Sequence, residues 1–88
     1  MAFHDVNPQA PVHLLVIPRK HFSSALEADE SDEPLMGHLD RVAADLARQF
    51  KITEGYRVVV NTGLGAGQSV FHLHLHVLGG RPFGWPPG

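Results

Sequence analysis

Three histidines alternate with leucines in His72-Leu73-His74-Leu75-His76, and the chain holds seven histidines in 88 residues. On an extended strand successive side chains point to opposite faces. This spacing puts three imidazoles on one face and Phe71, Leu73, Leu75 and Val77 on the other. A single histidine on a half-buried strand is ordinarily a satisfied polar group. Three on one face multiply the desolvation cost without adding core, so the pattern points to chemistry. One such chemistry is metal binding, because His-x-His supplies convergent ligands to zinc or copper. The outer pair, however, stands about 13 Å apart at Cα by the rise of a strand. There is no thiol and no His-Glu-x-x-His, so a further ligand must come from His4, His13, His21 or a carboxylate. The other chemistry is attack on phosphorus. An imidazole of ordinary pKa is roughly three quarters neutral at pH 7, and neighbouring rings can donate N–H bonds to phosphate oxygens and to a leaving group.

Just upstream lies Thr62-Gly63-Leu64-Gly65-Ala66-Gly67-Gln68-Ser69, with glycine at three alternate positions. Such a loop lets backbone N–H groups turn toward an anion. It is neither a P-loop nor a dinucleotide fingerprint, since no Gly-Lys-Ser/Thr occurs and a strand follows where a helix would be required.

The elements that must hold these residues read as follows. Residues 70–78 form a strand closed by Gly79-Gly80. Val12-His13-Leu14-Leu15-Val16-Ile17 is a second apolar strand, ended by Pro18, with His13, Leu15 and Ile17 on one face. Ala2-Phe3-His4 is a short strand, and Tyr56-Arg57-Val58-Val59-Val60 is another that runs out at Asn61. Leu35, Leu39, Val42, Leu46 and Phe50 make one apolar stripe, which predicts a helix over residues 34–50. Ser31 or Asp32 is placed to cap it, and Pro34 suits its first turn. A short helical turn is expected around residues 23–27. Strands without crossover helices imply an α+β fold, an antiparallel sheet with one main helix.

A chain of 88 residues and 9.6 kDa is expected to form a single domain over residues 1–88. Its core is thin, so a partner subunit is expected. The absence of cysteine excludes disulfides and fits a reducing compartment. Seven Lys+Arg against nine Asp+Glu argue against a nucleic-acid or membrane-surface binder. No apolar run approaches a membrane span, so a cytoplasmic protein is expected.

The run from Gln68-Ser69-Val70-Phe71 through the three histidines to Val77-Leu78-Gly79-Gly80-Arg81 resembles the signature of the histidine triad family. The ending Trp85-Pro86-Pro87-Gly88 is similar to that of its Hint branch of nucleoside phosphoramidases. Ala2-Phe3-His4-Asp5-Val6, Pro8-Gln9-Ala10-Pro11 and residues 13–20 and 55–61 fit the same branch. The resemblance implies a HIT-like fold, N-terminally shortened because the branch carries a further helix and strand before this point. It also implies binding of purine nucleoside monophosphates and hydrolysis of adenosine phosphoramidates through a nucleotidyl-histidine intermediate, with no cofactor and no metal. Under it, His74 is the nucleophile, His76 and Ser69 contact the phosphate or leaving group, His72 orients the strand and His13 supports His74. Asp5 takes the ribose hydroxyls and Asn61 and Gln68 help hold the phosphate end, with His4, Val6, Leu15 and Gly67 completing the nucleotide site. The resemblance further implies a homodimer in which Trp85 reaches the partner's site. A histidine-based metal protein, or a nucleotide-binding interaction module with little catalysis, are the alternatives. His21 and His38 are expected at the surface.

Overall fold

A computed structural model describes residues 1–88. Four strands, β1 (Ala2–His4), β2 (Val12–Val16), β3 (Tyr56–Val59) and β4 (Leu75–Gly79), form one antiparallel sheet in the order β1-β2-β4-β3. A single helix, α1 (Glu33–Gln49), follows two short 3-10 turns, Ala25–Glu27 and Glu30–Asp32. The expected α+β architecture is the one observed.

Register decides which residues share a face. Leu14 lies opposite Val77 and Val16 opposite Leu75, and all four are buried beneath α1 with Leu39, Ala43 and Ala47. The other face carries His13 opposite Leu78, Leu15 opposite His76, and Val59 opposite His76 on the far side. Phe3, paired with Leu15, belongs to that face as well.

The helix begins at Glu33 with Pro34 in its first turn and ends at Gln49 with Phe50 as C-cap. Its buried line is Leu39, Ala43 and Ala47, each at most 3% exposed, while Leu35, Val42, Leu46 and Phe50 are only partly buried. The stripe read from the large residues is therefore rotated from the true contact line. Alanine brings the helix backbone close to the sheet, and the larger residues then fill the flanks. Asp32 stands at the N-cap position but makes no cap bond to α1. Its carboxylate accepts from Lys20 Nζ at 2.7 Å and from the Asp29 N–H at 3.0 Å. The lysine bond holds the Asp32 carboxyl below its ordinary pKa and ties the entry of the helix to the segment after β2.

The histidine strand is shorter than expected: β4 starts at Leu75, so His72 and His74 precede it. Past the Leu75–Val16 pair β2 gives way to Ile17 and Pro18, and proline has no N–H to continue a ladder. The zigzag nevertheless persists. Leu73 is 1% exposed and its N–H donates to the Phe22 carbonyl at 2.7 Å. Phe71 departs from the expected core phase and is 51% exposed.

Candidate active site

His74, half-buried, directs Nδ1 to the carbonyl of His72 at 2.7 Å. A carbonyl only accepts, so the proton of neutral His74 sits on Nδ1 and the lone pair on Nε2. That Nε2 has no protein partner. His72 itself is fixed by Nε2 donating to the Pro18 carbonyl at 3.2 Å. Its Nδ1 then accepts from His21, 2.8 Å away. His21 is exposed as expected but adds a ring to the array. His38 is exposed on α1.

The ring of His76 lies edge-on to that of His74, with centroids 4.9 Å apart. Here the structure corrects one role: His13 contacts His76, not His74, with Nε2 and Nδ1 2.9 Å apart. The reason is register, since His13 sits diagonally next to His76 on the same face of the β2–β4 pair. The backbone N–H of Gln9 donates to His13 Nδ1 at 3.0 Å. The proton of His13 is thereby placed on Nε2 and points at His76, whose own proton goes to Nε2. The Asp5 carboxylate stands 3.5 Å from His13 Nε2. His76 consequently presents an N–H outward while neutral.

Asp5, His13 and His76 each bring a ligand atom within 4.8 Å of the others, an arrangement that invites a metal. The donor set does not suit one. A metal on His13 Nε2 would need its lone pair, while the Gln9 N–H already claims that of Nδ1. One imidazole would have to give up both protons. The trio is built to fix protons.

The glycine loop forms a 3-10 turn, Leu64–Ala66, flanked by Gly63 at φ 86° and Gly67 at φ 90°, conformations that glycine adopts without strain. Gln68 is buried at the base of the loop. Its Oε1 accepts from the Gly63 N–H at 2.9 Å, and its Nε2 donates to the carbonyls of Ser23 (2.6 Å) and Val70 (3.1 Å). Gln68 therefore shapes the loop instead of holding phosphate directly. Burial drives this, because an interior amide must satisfy itself on the backbone. Gly67 and Ser69 are exposed, and Asn61 is half-buried.

The remaining residues divide. Leu15 is half-buried on the histidine face. One oxygen of Asp5 accepts the Asn7 N–H at 2.8 Å, closing the turn after β1. Val6 and Trp85 project outward, 99% and 85% exposed. His4 is not brought to the histidine face. It pairs with Leu14 on the helix side and meets the Phe50 ring edge-on at 5.4 Å. Phe3, 42% exposed and beside Leu15, takes the place on the histidine face instead. Alternation along Ala2-Phe3-His4, in register with β2, is the signal that would have found it.

The chain matches the HIT domain family model over residues 1–83. It belongs to the HIT family. An uncharacterized HIT-like protein of Synechococcus elongatus is 53% identical over 88 residues, 100% of this chain and 77% of that protein. Among solved structures, a HIT family hydrolase from Legionella pneumophila is 46% identical with a TM-score of 0.96, covering 99% of this chain and 79% of that one. A histidine triad nucleotide-binding protein from Candida albicans is 28% identical with a TM-score of 0.78, covering 99% of this chain and 68% of that one. This HIT chain thus has the fold of HIT family hydrolases. No helix in it is long and apolar enough to cross a membrane.

Burial holds the pKa of His76 below the ordinary histidine value, and the charges of His74 and His13 push it the same way against Asp5. The sign of the pH dependence follows. The folded state binds the His76 proton more weakly than the unfolded chain, whose value is 6.5. This contribution to stability is complete above that value and is lost as pH falls below it toward the depressed folded pKa. Urea denaturation from pH 8 to pH 5 is expected to show this loss, and a His76→Gln variant to show less of it.

Proposed function

We propose that this chain is a purine nucleoside phosphoramidase, cleaving adenosine 5′-phosphoramidates by way of a nucleotidyl-histidine intermediate. The observation that carries the reading is His74, whose Nδ1–H is held by the His72 carbonyl while its Nε2 lone pair is left free. In this reading Nε2 attacks phosphorus, an N–P bond forms, and the P–N bond to the amine breaks. The departing amine takes up a proton from the Ser69 hydroxyl, which recovers one from the water that attacks in the second step. The positive charge arising on His74 is met by the bond from Nδ1–H to His72, and the Nε2–H of His76 donates to a phosphoryl oxygen. Water then cleaves the histidyl phosphoramidate, releasing AMP and restoring His74.

The nucleotide would lie along Phe3, Leu15 and Asp5, with Val6 at its edge and the phosphate toward Asn61, Gly67 and Ser69. Nucleotide binding by the Candida relative supports that choice of ligand. A homodimer accompanies the reading. β3 is an edge strand bordered by the partly exposed Tyr56 and Val60, a surface able to extend the sheet across a two-fold axis. Trp85 of each tail would then act on the partner's site.

The test is amine release from an AMP-linked amine, measured with and without a strong chelator. Turnover is expected in both, because no step uses a metal. Loss of turnover on chelation would move the metal reading ahead. AMP binding without amine release would favour a nucleotide-binding interaction module.

A further inference from the structure

We propose that Arg81 is a positioning residue for His76, acting through the backbone of Gln9 and the ring of His13; the role rests on the phosphoramidase reading of the site. His76 offers an outward N–H only while His13 keeps its proton on Nε2. His13 keeps it there because the Gln9 N–H occupies Nδ1. Gln9 lies in the irregular segment between β1 and β2, where no ladder fixes the backbone. The local bonds there are the Asp5–Asn7 turn, a 2.9 Å bond from the Asp5 N–H to the His13 carbonyl, and a 3.1 Å bond from the Gln9 side chain to the Asn7 carbonyl. None of them holds the Gln9 carbonyl. That is done by Arg81, whose Nε donates to it at 2.9 Å.

Arg81 is exposed and is engaged by several further contacts. Gly80 turns the chain at φ 90° beside Pro11, so closely that an added Cβ would stand 3.0 Å from the proline Cβ. The Arg81 guanidinium donates to the Pro82 carbonyl at 3.0 Å and stacks 4.3 Å from the centre of the Phe83 ring. Arg57 flanks the same ring at 4.9 Å and donates to the Gly84 carbonyl at 2.8 Å. Two guanidiniums thus lie over the Phe83 ring, an arrangement of cations and ring that is attractive in itself. The contacts run unbroken from this ring through Arg81, Gln9 and His13 to His76. Without Arg81 the Gln9 carbonyl loses its partner, the backbone that aims the Gln9 N–H is less restrained, and both imidazoles can exchange tautomers. In the other tautomer His76 aims a lone pair at the anionic phosphate, which repels it.

The experiment uses the full chain labelled with 15N and a long-range 1H–15N imidazole spectrum, read without substrate. The unaltered protein is expected to show His13 and His76 as Nε2–H tautomers, and Arg81→Ala to show both as mixtures. In turnover, Arg81→Ala is expected to lower kcat about tenfold with little change in KM, the size of one lost positioning bond. A folded Arg81→Ala protein that keeps His13 wholly in the Nε2–H form overturns the proposal. If that variant loses its fold, Arg81→Lys decides in its place: it keeps the cation but not the planar stack, and is expected to show partial mixing. No mixing in Arg81→Lys would overturn the proposal equally. Because the spectrum needs no turnover, failure of the phosphoramidase reading would show in the amine assay and leave this result to be judged separately.

Discussion

Replacing His74 by alanine is expected to lower turnover of an AMP-linked amine by on the order of 10⁴-fold or more, since the covalent route is removed and not merely weakened. The neighbouring imidazoles are poor substitutes. The Nδ1 of His76 is occupied by His13, and its Nε2 carries the proton. Both nitrogens of His72 are engaged, by His21 and by Pro18. Of His72, His74 and His76, only His74 keeps an unpartnered lone pair. Its side chain is half-buried and its hydrogen bond goes to the adjacent backbone, so the substitution is expected to leave the fold and most AMP affinity in place. The checks are amine release for turnover, calorimetry for AMP and near-ultraviolet dichroism for packing. Turnover within tenfold of the unaltered chain would end the nucleophile assignment.

The second large effect is on stability. Leu73→Ala is expected to cost about 2–5 kcal/mol, the range for truncating a fully buried leucine. Leu73 is 1% exposed and packs in the cluster with Phe22, Leu39 and Leu75. It also anchors the segment before β4, where its backbone bond to Phe22 substitutes for a ladder. A small domain has total stability on the order of 5–15 kcal/mol, so this loss should shift the urea midpoint markedly. Because Leu73 stands between His72 and His74, activity is expected to fall even at temperatures where the variant stays folded. Phe71→Ala, at an exposed site, is the comparison and should cost far less. Equal losses from the two variants would show that the segment is not anchored by Leu73.

Alternation was the strongest signal in the sequence. It carried the sidedness of Leu73, Leu75 and Val77 against His72, His74 and His76, because polarity at a spacing of two is written in residue types alone. The strands followed from the same alternation, the helix from apolar residues recurring at three- and four-residue steps, and the family signature from the run that holds the histidines. Four matters lay beyond it. The ladder stops at Leu75 because its neighbour β2 runs into Pro18, a fact about pairing partners. α1 turns its alanines to the sheet, because approach distance rather than hydropathy selects the residue at the closest contact. His4 faces Phe50, and Phe3 the histidines, because register with β2 sets the phase of β1. The proton positions on His13 and His76 hang on one backbone N–H, that of Gln9. Every residue but proline carries such a group, so no residue type announces it; only the folded chain aims it at a ring. The sequence by itself determined which side chains could do the chemistry and on which side of the chain they stand. Tertiary structure decided which imidazole partners which and where each proton sits, because hydrogen bonds are directional and the ring pairs, His13 with His76 and His21 with His72, join residues 63 and 51 positions apart.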